Sequence, residues 1–219
     1  MKQHINRILI VFLTIASGCK SSKIISINKS QTVQHDDHRN ITHVMSSHDV
    51  EIKSKEASKL NKLGIKNGKL GNYKLARNFL KQAIKIEGKN ATIYGNLGLV
   101  EMLSGNDDDA TKYFLQSIKT NPNYIYSYVN LGVNYYSNKK YNQALEIYSK
   151  IVALNLKDDF LIGSAYLNMA NSYFMLKKYK KAKSSLEMGK KLIGKKVYKI
   201  FPNLIKEEKD ILEYLKKEK

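Results

Sequence analysis

An all-α repeat array is the fold class the sequence predicts, and three observations carry it. Residues 57–90 align over 91–124 and 125–158 without gaps, and over 163–196 after a shift of four, so one 34-residue period runs through most of the chain. Small residues return at fixed places: the eighth position is Gly64, Gly98, Gly132 and Ala170, and the twentieth is Ala76, Ala110, Ala144 and Ala182. Large residues recur between them. Position four is Leu60, Tyr94, Tyr128 and Tyr166, position seven is Leu63, Leu97, Leu131 and Met169, and position 24 is Leu80, Phe114, Tyr148 and Leu186.

This pattern resembles the tetratricopeptide repeat (TPR). The resemblance implies two antiparallel helices per repeat, which approach closely where the small residues at positions eight and 20 face each other while the larger ones fill the space beside them. GNY at 71–73, GND at 105–107 and KKY at 139–141 and 177–179 are the expected turns. Two features depart from the family pattern. Position 27, usually alanine, is Ala83, Ser117, Ile151 and Gly189, and four residues, Asp159 to Ile162, are inserted before the fourth repeat. The expected fold is therefore an all-α TPR superhelical solenoid of four helix–turn–helix repeats within 56–196. Residues 197–219 are expected to form a C-terminal capping helix, because a repeat array needs a polar outer face on its last member. Pro202 suits the first turn of that helix, and Ile205, Ile211, Leu212 and Leu215 are expected to share its apolar face.

The N-terminus reads differently. Lys2 and Arg7 precede the apolar run Ile8 to Ala16 and the small pair Ser17 and Gly18, the layout of a secretory signal peptide over residues 1–18. This run of nine apolar or small residues is too short for a membrane span, which takes about 20. Cys19 is the only cysteine, so an intrachain disulfide is excluded. The stretch Ile15-Ala16-Ser17-Gly18-Cys19 resembles the bacterial lipobox, which implies cleavage before Cys19 and its acylation. Stable attachment takes more than one chain at about 0.8 kcal/mol per buried methylene, and a lipidated cysteine carries two or three. No other cofactor is expected. Lys20, in place of the aspartate that would argue for inner-membrane retention, points to an outer-membrane lipoprotein facing the periplasm. Residues 19–55 are then the lipidated cysteine and a polar tether, which as a coil would span roughly 30 to 35 Å. Within it, His35-Asp36-Asp37-His38 reads as solvated linker, and no metal site is expected.

The chain carries 38 Lys and Arg against 19 acids, a net charge of +19, but only three arginines, Arg7, Arg39 and Arg77. Arginine is the residue suited to bidentate phosphate and base contacts, so nucleic acid is not an expected partner. Ten lysines between Lys177 and Lys199 face a single acid, Glu187. This basic surface, represented by Lys177, Lys178, Lys180 and Lys181, is either simply solvated or meets anionic lipid, polymer or an acidic protein.

Resemblance to TPR proteins also implies a concave groove built from positions two, five, six, nine, 12 and 13 of each first helix. Position six is Lys62, Asn96, Asn130 and Asn168. An amide offers both donor and acceptor, so three stacked asparagines could bridge a bound peptide's backbone. Tyr126, Val133, Tyr136, Asn171 and Phe174 complete the expected groove. The lysine and arginine set with which chaperone-binding members clamp a carboxylate is missing, which favours a partner segment with apolar side chains. No P-loop, dinucleotide fingerprint, HExxH or cysteine nucleophile is present, so an enzyme is not expected. The expectation is a membrane-anchored adaptor or assembly factor that binds another envelope protein, similar to TPR lipoproteins of type IV and tight adherence (Tad) pilus assembly. The alternative is a structural envelope protein whose basic C-terminal surface holds anionic lipid or polymer.

Overall fold

The computed structural model describes residues 52–217 except 155, 157 and 201–203. Cys19, the tether through residue 51 with its histidines, and Pro202 lie outside the described residues, whereas the last residue of the expected tether, Lys55, already begins α1. Every element among the described residues is helical: α1 (Lys55–Lys69), α2 (Tyr73–Glu87), α3 (Ala91–Leu103), α4 (Asp107–Thr120), α5 (Ile125–Ser137), α6 (Tyr141–Ala153), α7 (Asp159–Met175), α8 (Tyr179–Ile193), a 3₁₀ turn at Gly194–Lys196, α9 (Val197–Ile200) and α10 (Leu204–Lys217). They fall into two compact units that divide between Asn134 and Tyr135.

Each repeat turns the same way. The residue at position 15 adopts a left-handed backbone in all four, with φ of 79° at Gly71, 83° at Gly105, 59° at Lys139 and 57° at Lys177. The N–H that follows then reaches back five residues, from Asn72 to Asn67, Asn106 to Glu101, Lys140 to Tyr135 and Lys178 to Tyr173, at 2.8–2.9 Å. This is a Schellman closure, which satisfies a carbonyl the helix end would otherwise leave bare. The same position-16 residue accepts from the alanine at position 20, as Ala76, Ala110, Ala144 and Ala182 donate to it and so start the second helix. Three residues thus stop one helix, reverse the chain and launch the next.

In the first unit, residues 52–134, α1 packs on α2, α3 on α4, and α2 on α3. Gly98 shows why position eight is small: a Cβ there would lie 2.7 Å from Phe114 Cδ1 and 3.2 Å from the Ala110 carbonyl. Ala57, Ala76, Leu80, Ala83, Ile93, Leu97 and Val100 form the core. Two of the departures at position 27 have local causes. The Ser117 hydroxyl donates to the Ala91 carbonyl at 2.7 Å and accepts from Ser127 at 2.6 Å, linking α4 to the starts of α3 and α5. In the second unit a Cβ at Gly189 would meet the Gly163 carbonyl at 2.8 Å, so α7 and α8 approach too closely for alanine.

The second unit shows what the insertion does and corrects one expectation. The inserted residues Asp159 to Ile162 extend α7 by an N-terminal turn, capped where the Asp158 carboxylate accepts the Leu161 N–H at 2.9 Å. The correction is at α10, whose apolar face is rotated from the expected one. Leu204 and Ile211 are buried with Leu167, Ala170, Ala182, Leu186 and Val197, and Leu215 packs on that cluster, whereas Ile205 and Leu212 are 51% and 40% exposed. Leu204, Ile211 and Leu215 follow the i, i+7, i+11 spacing of one helix face, which Ile205 and Leu212 leave by roughly 100°.

Candidate functional site

The first helices α3, α5 and α7 carry the expected groove residues, and burial sorts these into two groups. Asn96, Asn130 and Asn168, expected to line an open groove, are only 3%, 2% and 4% exposed. The reason is visible at Asn96, whose amide donates to the Asn61 side-chain oxygen at 3.0 Å in a buried bond between α3 and α1. A buried amide must be satisfied within the protein, and here the neighbouring repeat satisfies it. Val133 and Asn171 are also buried. So is Tyr136, whose ring packs edge-on against Tyr141 with centroids 5.3 Å apart.

Tyr126 and Phe174 remain half-buried. Tyr126 tilts against Tyr124 at 5.4 Å. Phe174 stands edge-on to Tyr179 at 5.4 Å and to Tyr214 at 5.6 Å, while Tyr179 and Tyr214 stack at 4.7 Å, so α10 reaches this ring. In the first unit Met102 and Leu103, at positions 12 and 13 of α3's repeat, are half-buried, and Lys62 and Lys66 on α1 are exposed. Partly exposed apolar side chains on first helices, with lysines on the neighbouring first helix, are therefore what the site offers. Among the described residues no cluster of three or more histidine, cysteine or acidic side chains is arranged to hold a metal ion.

Asn61 and the Arg77–Glu101 pair were not singled out from the sequence. Arg77 grips Glu101 with two bonds of 2.6 and 2.7 Å, from Nε to Oε1 and from an η-nitrogen to Oε2. Asn106 adds a third bond to Oε2 at 2.8 Å, and Ser104 accepts a further one from Arg77 at 3.2 Å. Glu101 is 2% exposed. Burial alone would raise its pKa, but the bonds from Arg77 and Asn106 more than offset that and hold it below the ordinary carboxylate range. Arg77, raised chiefly by its bond to Glu101, is thereby engaged inside the fold. The 24-residue spacing of the pair, from position 21 of one repeat to position 11 of the next, could have flagged it.

Of the basic surface, Lys177, Lys178, Lys180 and Lys181 are all exposed or nearly so, with the Lys181 ammonium 5.8 Å from the Tyr173 ring centroid. Tetratricopeptide repeat family models match residues 61–90, 91–124 and 125–158, and a further one matches 164–188, together more than half of the chain. No curated protein matches the chain in sequence. Several solved structures share its fold. The pilF protein of Pseudomonas aeruginosa superposes with a TM-score of 0.65 at 18% identity, over 74% of this chain and 70% of that one. MamA (41-end) from Desulfovibrio magneticus RS-1 gives 0.58 at 19% identity, over 75% and 93%. A thermophilic TPR protein of Thermus thermophilus, TTC0263, gives 0.56 at 17% identity, over 71% and 80%. With the repeats matched, the common turn in place and the small-residue contacts seen at Gly98, the chain belongs to the tetratricopeptide repeat family.

Proposed function

We propose that this chain is a membrane-tethered adaptor that captures an apolar segment of another envelope protein on the first helices of its repeats. The fold is a protein-interaction scaffold, and stacked repeats present extended binding surfaces. The observation that carries the reading is the set of half-open apolar side chains at Met102, Leu103 and Tyr126, on helices whose asparagines are buried in the stacking. Acylation of Cys19 provides the tether, and the outer membrane facing the periplasm is the proposed location. Resemblance to TPR lipoproteins of type IV and Tad pilus assembly makes pilus or secretion-system biogenesis the proposed setting. The likeness to pilF supports the fold on which that setting rests.

Site-specific photo-crosslinking tests the capture surface. A photoreactive residue at Met102, Leu103 or Tyr126 in the full chain should give a crosslinked partner in intact cells. The same probe at Leu75 or Leu115, exposed on the second helices, should not. Equal crosslinking at both sets, or crosslinking at the second-helix sites alone, would remove the proposed surface. The tether is tested separately: Cys19→Ala should abolish fatty-acid labelling and release the protein from the membrane fraction or leave it as precursor.

A further inference from the structure

One helix of the second unit carries apolar and basic side chains on the same exposed flank. Burial of Leu204 and Ile211 fixes the rotation of α10. Residues 205, 209, 212 and 216 then follow i, i+4, i+7, i+11 spacing and line up as a single stripe on another flank. That stripe is Ile205, Lys209, Leu212 and Lys216, with both apolar members exposed and the lysines open to water. Glu208 borders it and accepts from Lys190 at 2.7 Å and from the Tyr198 hydroxyl at 3.1 Å, which brings Tyr198, 38% exposed, to its edge. From residue 177 to 217 the sequence holds many lysines and no arginine. The stripe itself contains no acid, and the two that flank it are paired, Glu208 with Lys190 and Glu213 with Lys217, each at 2.7 Å.

We propose that this stripe seats α10 on a bilayer rich in anionic phospholipid, with Ile205, Leu212 and Tyr198 entering the headgroup layer while Lys209 and Lys216 lie among the phosphates. An amphipathic helix of this kind lies in the plane of the interface. Three features favour this occupant. A second copy would bring like charge against like. A soluble polyanion would engage the lysines but leave the isoleucine and leucine in water. Lysine beside apolar side chains can extend its ammonium to the phosphates while its stem stays in the less polar layer. The seating is independent of the adaptor reading, since its residues lie outside the proposed capture surface.

The chain has no tryptophan, so Leu212→Trp supplies a lone reporter. It is placed in the full chain with Cys19→Ser, so that no acyl chain contributes and the N-terminal apolar run is common to every variant. With vesicles of phosphatidylglycerol and phosphatidylcholine, the indole emission should shift to shorter wavelength and be quenched by lipids brominated on their acyl chains. With phosphatidylcholine alone it should do neither. Adding Lys209→Glu and Lys216→Glu should weaken the phosphatidylglycerol response by about tenfold or more, and Ile205→Ser, read separately by vesicle co-sedimentation, should also weaken binding. Circular dichroism checks that these surface substitutions leave the fold intact. No emission shift with phosphatidylglycerol, equal response to both vesicles, or a response untouched by the charge reversals would overturn the proposal. A shift with soluble polyphosphate or an acidic peptide but not with vesicles would overturn it too and assign the stripe to that ligand.

Discussion

Arg77 is the only arginine among the described residues, and the fold spends it on Glu101. A carboxylate whose folded pKa is lowered adds stability above its unfolded pKa, about 4.3, and loses that contribution as pH falls through the folded value. Unfolding of the wild type should therefore become easier below about pH 4, and Glu101→Gln should lose part of that acid dependence. At neutral pH the same change should cost about 1 to 3 kcal/mol in urea unfolding, since it takes the charge from a buried carboxylate whose bonds to a part-exposed guanidinium are charge-assisted. Tyr148 is the opposite case. It is 1% exposed and its hydroxyl has no hydrogen-bond partner. Burial pushes its phenol far above the ordinary value. A raised folded pKa leaves stability intact below the unfolded value of about 10 and erodes it as pH rises beyond that. Tyr148→Phe should remove this alkaline loss and, by deleting an unsatisfied hydroxyl, raise stability by about 0.5 to 1 kcal/mol. Both groups were hard to see in sequence. Tyr148 could be placed as a core residue by its position in the repeat, but the partner of a buried polar group depends on side chains one repeat away.

At the scale of the helices, position 15 provides a comparison within one molecule. Gly71 and Gly105 adopt φ near +80° without a Cβ, whereas Lys139 and Lys177 hold the same left-handed turn with a side chain. A non-glycine residue there costs about 1 to 2 kcal/mol, and glycine's extra unfolded-chain entropy returns about 0.5 to 1 of it. Lys139→Gly should thus stabilise by roughly 0.5 kcal/mol and Gly71→Lys should destabilise by a similar amount or more, read as shifts in the urea midpoint. Gly98 is held small by a different constraint, its contact with Phe114. Replacing it with alanine gains about 1 kcal/mol in helix propensity but overpacks at about 1 to 3 kcal/mol, so a net loss near 1 is expected. The small positions and the turns were legible because backbone contacts and left-handed φ restrict residue type directly. The rotation of α10 was not, since Ile205 and Leu212 satisfy a helical period as well as Leu204 and Ile211 do, and only packing on Leu186 and Val197 chooses between them.

For the whole molecule, the repeats depend on neighbours to cover their apolar surfaces. Truncation after residue 196 would remove Val197, Leu204 and Ile211 from Leu167, Ala170 and Leu186, and the shortened chain should aggregate, measured by light scattering. The repeat order could be read from the 34-residue period, and the all-α class from the resemblance its small and large positions carry, but the role of Asn96 could not. Asn61 stands at position five and Asn96 at position six, and the period gives no sign that the two side chains meet. Their buried bond makes the Asn61 and Asn96 amides part of the packing between α1 and α3. The most direct measurement is equilibrium urea unfolding of Asn96→Ala beside the wild type. Stacking through Asn61 predicts a loss of about 1 to 3 kcal/mol, because truncation removes a buried bond and leaves a cavity. Unchanged stability, together with loss of partner crosslinking at Tyr126, would contradict the account and return Asn96 to the binding surface.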